Sequence, residues 1–251
     1  MALYDVFLKL EHSKRASGYL IRNNIRLLRW LKKLNPGVYT NILEIGPGKG
    51  YLSNACNLEG GFKYHAADRS KNILDNLGID KELCFVTELP HLDGIKQKFD
   101  IIFVGYVVEH LKNGVELYET LQNLKGLLSD NGILVLTFPD SMALGMELYN
   151  IDYTHSLPTT KRNVNQALLD AGMRMDKCVS LCGIGYVPGV ESKVLYHFKK
   201  TLLFFYSYKL MSFIAWPFYH VPLHSLNNIW WRAYALLKEP NVLVIARKAE
   251  K

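Results

Sequence analysis

Two carboxylates, three glycines and two histidines stand at spacings that could do chemistry. Glu44 precedes Gly46, Gly48 and Gly50 in Ile42-Leu-Glu-Ile-Gly-Pro-Gly-Lys-Gly-Tyr-Leu52, an apolar run that ends in glycines at alternate positions. Glycine lacks the Cβ that blocks a tight turn or the close approach of a ligand to the backbone, so this corner reads as a nucleotide-type cradle. The spacing is not G-x-G-x-x-G, because the third glycine comes one residue early. Nor is it a phosphate loop, because Lys49 is followed by Gly50 and not by Ser or Thr. An acid at the head of the turn suits a ligand with a cationic amino group. Asp68, eighteen residues beyond Gly50, ends a second apolar run, where a carboxylate can accept from both hydroxyls of a ribose. Its alternative role is a helix N-cap, although Ser70 looks the better cap.

In combination, the glycine turn with Glu44 and the strand end at Asp68 resemble class I S-adenosylmethionine-dependent methyltransferases. The resemblance implies S-adenosylmethionine as methyl donor and S-adenosylhomocysteine as product. Glu44 would then meet the methionine end directly or through water, Gly46, Gly48 and Gly50 would border the cofactor, and Asp68 with Arg69 would lie at the adenosyl ribose. In Thr87-Glu-Leu-Pro90 the family's usual adenine-flanking Asp is absent. Glu88 or the backbone near Leu89 is left to serve, or Glu88 simply faces water. Phe99-Asp-Ile-Ile-Phe-Val-Gly-Tyr-Val-Val-Glu-His-Leu111 resembles the fourth motif, including its Glu-His pair, and puts Gly105 and Tyr106 beside the sulfonium. A tyrosine face or hydroxyl there interacts favourably with positive sulfur. His110 is either catalytic or a partly buried histidine that fixes local structure.

The stretch from Ser141 to Pro158 is long for a strand-to-helix loop, and long ordered loops tend to carry function. It contains Asp152-Tyr-Thr-His155, which resembles the Asp-x-Thr-His segment of methyltransferases that tailor cell-surface sugars and related small metabolites. His155 is the candidate general base or substrate-orienting group, since a neutral imidazole can take a hydroxyl proton. Alternatively it only braces the loop through a backbone hydrogen bond. Asp140, Asp152 and Tyr153 are further candidates.

The elements that must position these residues alternate: strands over 41–46, 62–67, 83–87, 99–105 and 132–138, with helices over 50–58, 70–77, 113–128 and 160–171. Such alternation predicts an α/β, Rossmann-like, doubly wound seven-stranded sheet with ligands at the carboxyl ends of its strands, completed by strands 173–182 and 241–247. Residues 3–34 carry helical periodicity and end at Asn35-Pro-Gly37, an N-terminal helical cap (1–40) that covers either the cofactor or only the sheet. The chain, 251 residues and 49% apolar, reads as a single domain with core 41–182 and 241–248 and an insert over 183–240. That insert is rich in aromatics such as Tyr196, Phe204, Trp216, Trp230 and Trp231. A helical lid over the substrate cleft is one reading. Peripheral membrane contact through 196–236, with Lys199, Lys200, Lys209 and Arg232 among the aromatics, is another. A membrane span is the third, but Lys209, Pro217 and His220 break the best apolar window.

The net charge of +7 favours an acidic partner, but the basic residues are dispersed, so no nucleic acid is expected. Cys56, Cys84, Cys178 and Cys182 form no C-x-x-C pair and have no matching His cluster nearby, so no metal is expected either. Free thiols and the lack of a signal-peptide pattern predict a cytoplasmic protein. The preferred acceptor is a hydroxyl of a sugar, nucleotide-sugar or glycan. A lipid or quinone-like small molecule is the alternative, and a non-catalytic S-adenosylmethionine-binding protein the second alternative.

Overall fold

A computed structural model describes residues 14–34, 40–92, 94–146, 148–149, 152–181 and 241–249. Seven strands form one sheet: β1 Asn41–Ile45, β2 Lys63–Asp68, β3 Cys84–Val86, β4 Phe99–Gly105, β5 Leu128–Pro139, β6 Met173–Leu181 and β7 Asn241–Lys248. Their order is β3-β2-β1-β4-β5-β7-β6. β1 pairs in parallel with both β2 and β4, and β7 runs antiparallel to β5 and β6. The order therefore reverses between β1 and β4, which opens a crevice beyond their carboxyl ends. Gly46 and Tyr106 each follow one of those ends.

The helices are α1 Lys14–Leu34, α2 Tyr51–Glu59, α3 Lys71–Asp75, α4 Gly114–Leu127, α5 Ser141–Leu144 and α6 Lys161–Asp170. Alternation along β1 splits its side chains between two cores. Leu43 and Ile45 join Leu117, Leu121 and Leu168 on one face, while Ile42 joins Leu28, Leu31 and Leu52 on the other. The apolar stripe of α1 thus packs on the sheet beside α2, which is the sheet-covering form of the expected cap. None of the helices among the described residues is long and apolar enough to cross a membrane.

Two elements are shorter than their sequence patterns. The helix expected over 70–77 closes after Asp75, where the Asn76 side chain donates 2.7 Å to the Asn72 carbonyl and competes with the backbone ladder. The strand expected over 83–87 keeps only Cys84–Val86, behind a 3₁₀ turn at Lys81–Leu83. The expectations for residues 1–13, Asn35-Pro-Gly37, Cys182 and the 183–240 insert lie outside the described residues. What flanks the insert is fixed, however: Leu181 pairs with Asn241, which pairs with Pro139.

Asp100 ties the start of β1 to β4 and β5. Its carboxylate accepts from Thr40 N at 3.1 Å, Thr40 Oγ1 at 3.2 Å, Asn41 N at 3.0 Å and Ser129 Oγ at 3.0 Å. Burial pushes this carboxyl up, but the hydrogen bonds outweigh it and hold the pKa below its ordinary value of 3.8. A depressed folded-state pKa contributes stability above the unfolded value, lost as pH falls through the folded one. Asp100→Ala is therefore expected to cost about 2 kcal/mol at pH 7 in urea unfolding. The difference from wild type should shrink as pH is lowered below 3.8; a cost independent of pH would refute this account.

Candidate active site

Three glycines make the turn between β1 and α2, and all have left-handed backbone: φ is +70° at Gly46, +52° at Gly48 and +70° at Gly50. Gly46 N donates to Ala67 O at 2.9 Å, which holds the turn against the end of β2. A Cβ on Gly46 would lie 2.6 Å from Val107 Cγ2, so only glycine lets the turn approach the segment after β4. The result is bare backbone at the switch point of the sheet, where a nucleoside can lie across the strand ends.

Glu44 sits beneath that turn and is 6% exposed. Tyr64 donates a hydrogen bond to its Oε2. Burial pushes the Glu44 carboxyl up to about 8, with the Tyr64 bond acting in the opposite direction. At neutral pH it is mostly protonated until a cation comes beside it, as the ammonium of a methionine moiety would. Tyr64 was not singled out in the sequence. It lies two residues from Ala66, the ladder partner of Glu44, and so shares its face, but that relation needs the register between β1 and β2.

The expected ribose and adenine residues gather at the ends of β2 and β3. Asp68 Oδ1 accepts from Ser70 N at 2.7 Å, which fixes the carboxylate in a local turn while Ser70 occupies the N-cap position of α3. Burial raises the Asp68 pKa, against the pull of the Ser70 amide and of Arg69. Arg69 Nη1 and Glu88 Oε1 pair at 3.3 Å with both side chains substantially exposed, an interaction worth about 0–1 kcal/mol. Leu89 packs against the first core.

Beyond β4 the chain turns sharply. Gly105 ends the strand opposite Thr137, and Tyr106, at φ +57°, is a non-glycine residue in left-handed conformation held by its own amide on Thr137 O at 2.8 Å. Such strain persists only where surrounding structure enforces it. Glu109 and His110 follow in a 3₁₀ turn, Val108–His110. The Glu109 carbonyl accepts from Ser156 N at 2.9 Å and Leu157 N at 3.0 Å, which brings the long loop after β5 onto this turn. The His110 and His155 rings consequently lie 5.0 Å apart.

His155 is 9% exposed, and its Nδ1 bonds to Leu148 O at 2.6 Å. A carbonyl only accepts, so Nδ1 carries the proton and Nε2 the lone pair. The ring thus braces the loop through Nδ1, as the second of the two sequence-based roles expects. Burial and the neighbouring His155 lower the His110 pKa, so it is neutral at pH 7. Asp140 caps α5 through Met142 N at 3.0 Å, Asp152 accepts from Thr154 N and Oγ1 at 2.8 and 2.7 Å, and Tyr153 is 81% exposed. Glu109, named in the sequence only as half of a Glu-His pair, emerges as a site residue. It is 1% exposed, and burial pushes its carboxyl up to about 8.

The description of a known family, the methyltransferase domain, fits residues 12–177, more than half of the chain. No curated protein sequence matches. Solved structures do. An S-adenosylmethionine-dependent methyltransferase from Clostridium acetobutylicum aligns over 99% of this chain and 97% of its own, with TM-score 0.59 and 11% identity. One from Archaeoglobus fulgidus aligns over 98% and 100%, with TM-score 0.58 and 19% identity. The plantazolicin methyltransferase BpumL, solved with a substrate analogue and S-adenosylhomocysteine, aligns over 94% and 87%, with TM-score 0.57 and 15% identity. At these identities the structures establish the shared fold, and the family match establishes the kinship. The bare glycine turn, the buried acid below it and the carboxylate ending β2 fit the donor this family uses. The chain belongs to the methyltransferase domain family and is a class I S-adenosylmethionine-dependent methyltransferase.

Proposed function

We propose that the enzyme methylates a hydroxyl of a sugar, nucleotide-sugar or glycan. The observation that carries this reading is the pair of imidazoles, His110 and His155, whose rings lie 5.0 Å apart beyond the end of β4. Bound S-adenosylmethionine supplies a methyl group on a sulfonium, whose C–S bond breaks with its electron pair left on sulfur. The acceptor oxygen takes the methyl in line, and its proton passes to Nε2 of His155, the nitrogen not spent on Leu148. Tyr106 would lie beside the reacting carbon, Glu44 would take the donor's ammonium, and Asp68 with Arg69 would take the ribose. Glu88 and the backbone at Leu89 would border the adenine. The net charge of +7 suits a phosphorylated acceptor.

A second reading has its own support. Met142, Met146 and Tyr153, each about four-fifths exposed at 81%, 80% and 81%, lie on the loop that carries His155. Large exposed apolar side chains beside a site suit a lipid or quinone-like acceptor.

Incubation with donor labelled in its methyl group, followed by separation of glycan and lipid fractions, decides between them; label confined to lipid removes the sugar reading. Asp68→Ala is expected to weaken S-adenosylhomocysteine binding by about 1.5 to 3 kcal/mol for each ribose hydrogen bond lost. Calorimetry that finds wild-type affinity would take Asp68 off the ribose. His155→Ala should leave donor affinity intact and lower turnover by a factor of about 10² to 10⁴. Unchanged turnover would retire His155 from proton transfer.

A further inference from the structure

The acceptor side holds a convergence of lone pairs that a general base alone does not explain. Glu109, His110 and His155 each bring a ligand atom within 4.8 Å of the other two. The tautomers of both rings follow from their partners. Thr154 Oγ1 donates to Asp152 Oδ1 at 2.7 Å, so its contact with His110 Nδ1 at 2.9 Å has the ring donating and puts the lone pair on Nε2. Leu148 O does the same for His155. Against these two imidazoles stands the Glu109 carboxyl, 1% exposed, whose buried Oε2 has no hydrogen-bond partner. An orphaned buried carboxylate oxygen is costly, and a cation beside it removes the cost.

We propose that Glu109, His110 and His155 bind one divalent transition-metal cation, through the carboxylate and the two Nε2 atoms. Two imidazoles and one carboxylate suit borderline cations such as Zn²⁺, Co²⁺, Mn²⁺ or Fe²⁺ better than Mg²⁺ or Ca²⁺, which prefer all-oxygen shells. Bonds of about 2.1 Å place tetrahedral ligands about 3.4 Å apart, so occupancy draws the three side chains together by about 1 Å. The supporting shell is already built. The Asp152–Thr154–His110 relay and the Leu148 carbonyl on His155 orient each ring by its far nitrogen, as outer partners of metal-bound histidines do. Three protein ligands leave coordination positions open. The turn that bears Glu109 and His110 follows Tyr106 and Val107, and Val107 touches the glycine cradle, so those positions lie on the acceptor side. If the acceptor is a hydroxyl, as proposed above, the cation and the acceptor proton would compete for the one lone pair on Nε2 of His155. That last clause alone rests on the proposed function.

The test uses the full chain, stripped with chelator and titrated with Co²⁺ while visible absorption is recorded. Expected are saturable d–d bands at one equivalent, displaced by Zn²⁺, without the thiolate charge-transfer band that binding at Cys84 or Cys178 would give. Glu109→Gln and His155→Gln should each abolish the bands. Thr154→Val, which removes only a positioning contact, should weaken Co²⁺ binding about 10- to 100-fold. Glu109→Gln keeps the backbone carbonyl that anchors the loop, and far-UV circular dichroism with S-adenosylhomocysteine calorimetry checks that each variant is folded. Should Glu109→Gln misfold, His155→Gln carries the same expectation. No saturable binding, a thiolate band, or variants that bind as wild type would overturn the site. Label appearing in lipid and not in glycan would change the acceptor and leave the metal site standing.

Discussion

The acceptor side of the enzyme hangs on one carbonyl oxygen. Glu109 O accepts from both Ser156 N and Leu157 N, residues more than forty positions later in the chain. The loop is tied a second time where Thr159 Oγ1 donates to Pro139 O at 2.6 Å and Ser141 N donates to Thr159 O at 2.8 Å. A loop of this length costs conformational entropy to order, and these backbone bonds are what hold it in one arrangement. Because Glu109 lies three residues beyond Tyr106, the bonds bring His155 to the same strand end that faces the donor. The placement of these side chains is a consequence of main-chain hydrogen bonding.

Two acids frame the site and share one electrostatic condition. Glu44 and Glu109 are both nearly inaccessible, and desolvation pushes each to about 8. Neither carries a settled charge at neutral pH without a cation. Asp100 and Asp152 show the contrast: burial pushes them up as well, but hydrogen bonds from neighbouring amides and hydroxyls outweigh it and keep both below the usual carboxylate range. Glu44 and Glu109 are thus the acids whose desolvation is not offset, and Asp100 and Asp152 the ones whose hydrogen bonds offset it.

The sheet itself is shared with solved methyltransferase structures less than 20% identical to this chain. Fold fixes where the donor lies, at the reversal between β1 and β4. Beyond the carboxyl ends of β4 and β5 the chain adds the strained Tyr106, the two histidines, and the exposed Met142, Met146 and Tyr153, and on a shared fold it is such additions that distinguish one function from another.

The sequence by itself determined the donor half. Glycine positions at 46, 48 and 50, an acid two residues ahead and another at the end of the next strand are local patterns, and local patterns survive reading in one dimension because strand period and turn chemistry act over a few residues. It also carried the fold class, a doubly wound α/β sheet, through the alternation of strand and helix. What it did not carry were relations set by register and by distant backbone bonds. Tyr64 on Glu44 depends on how β2 lies against β1. The junction of Glu109, His110 and His155 depends on a loop more than forty residues downstream folding back, and the spacing of cysteines and histidines gave no hint of it. Only the tertiary structure decided that these three meet, because the bonds that join them are between main-chain atoms, which every residue possesses and no sequence pattern marks.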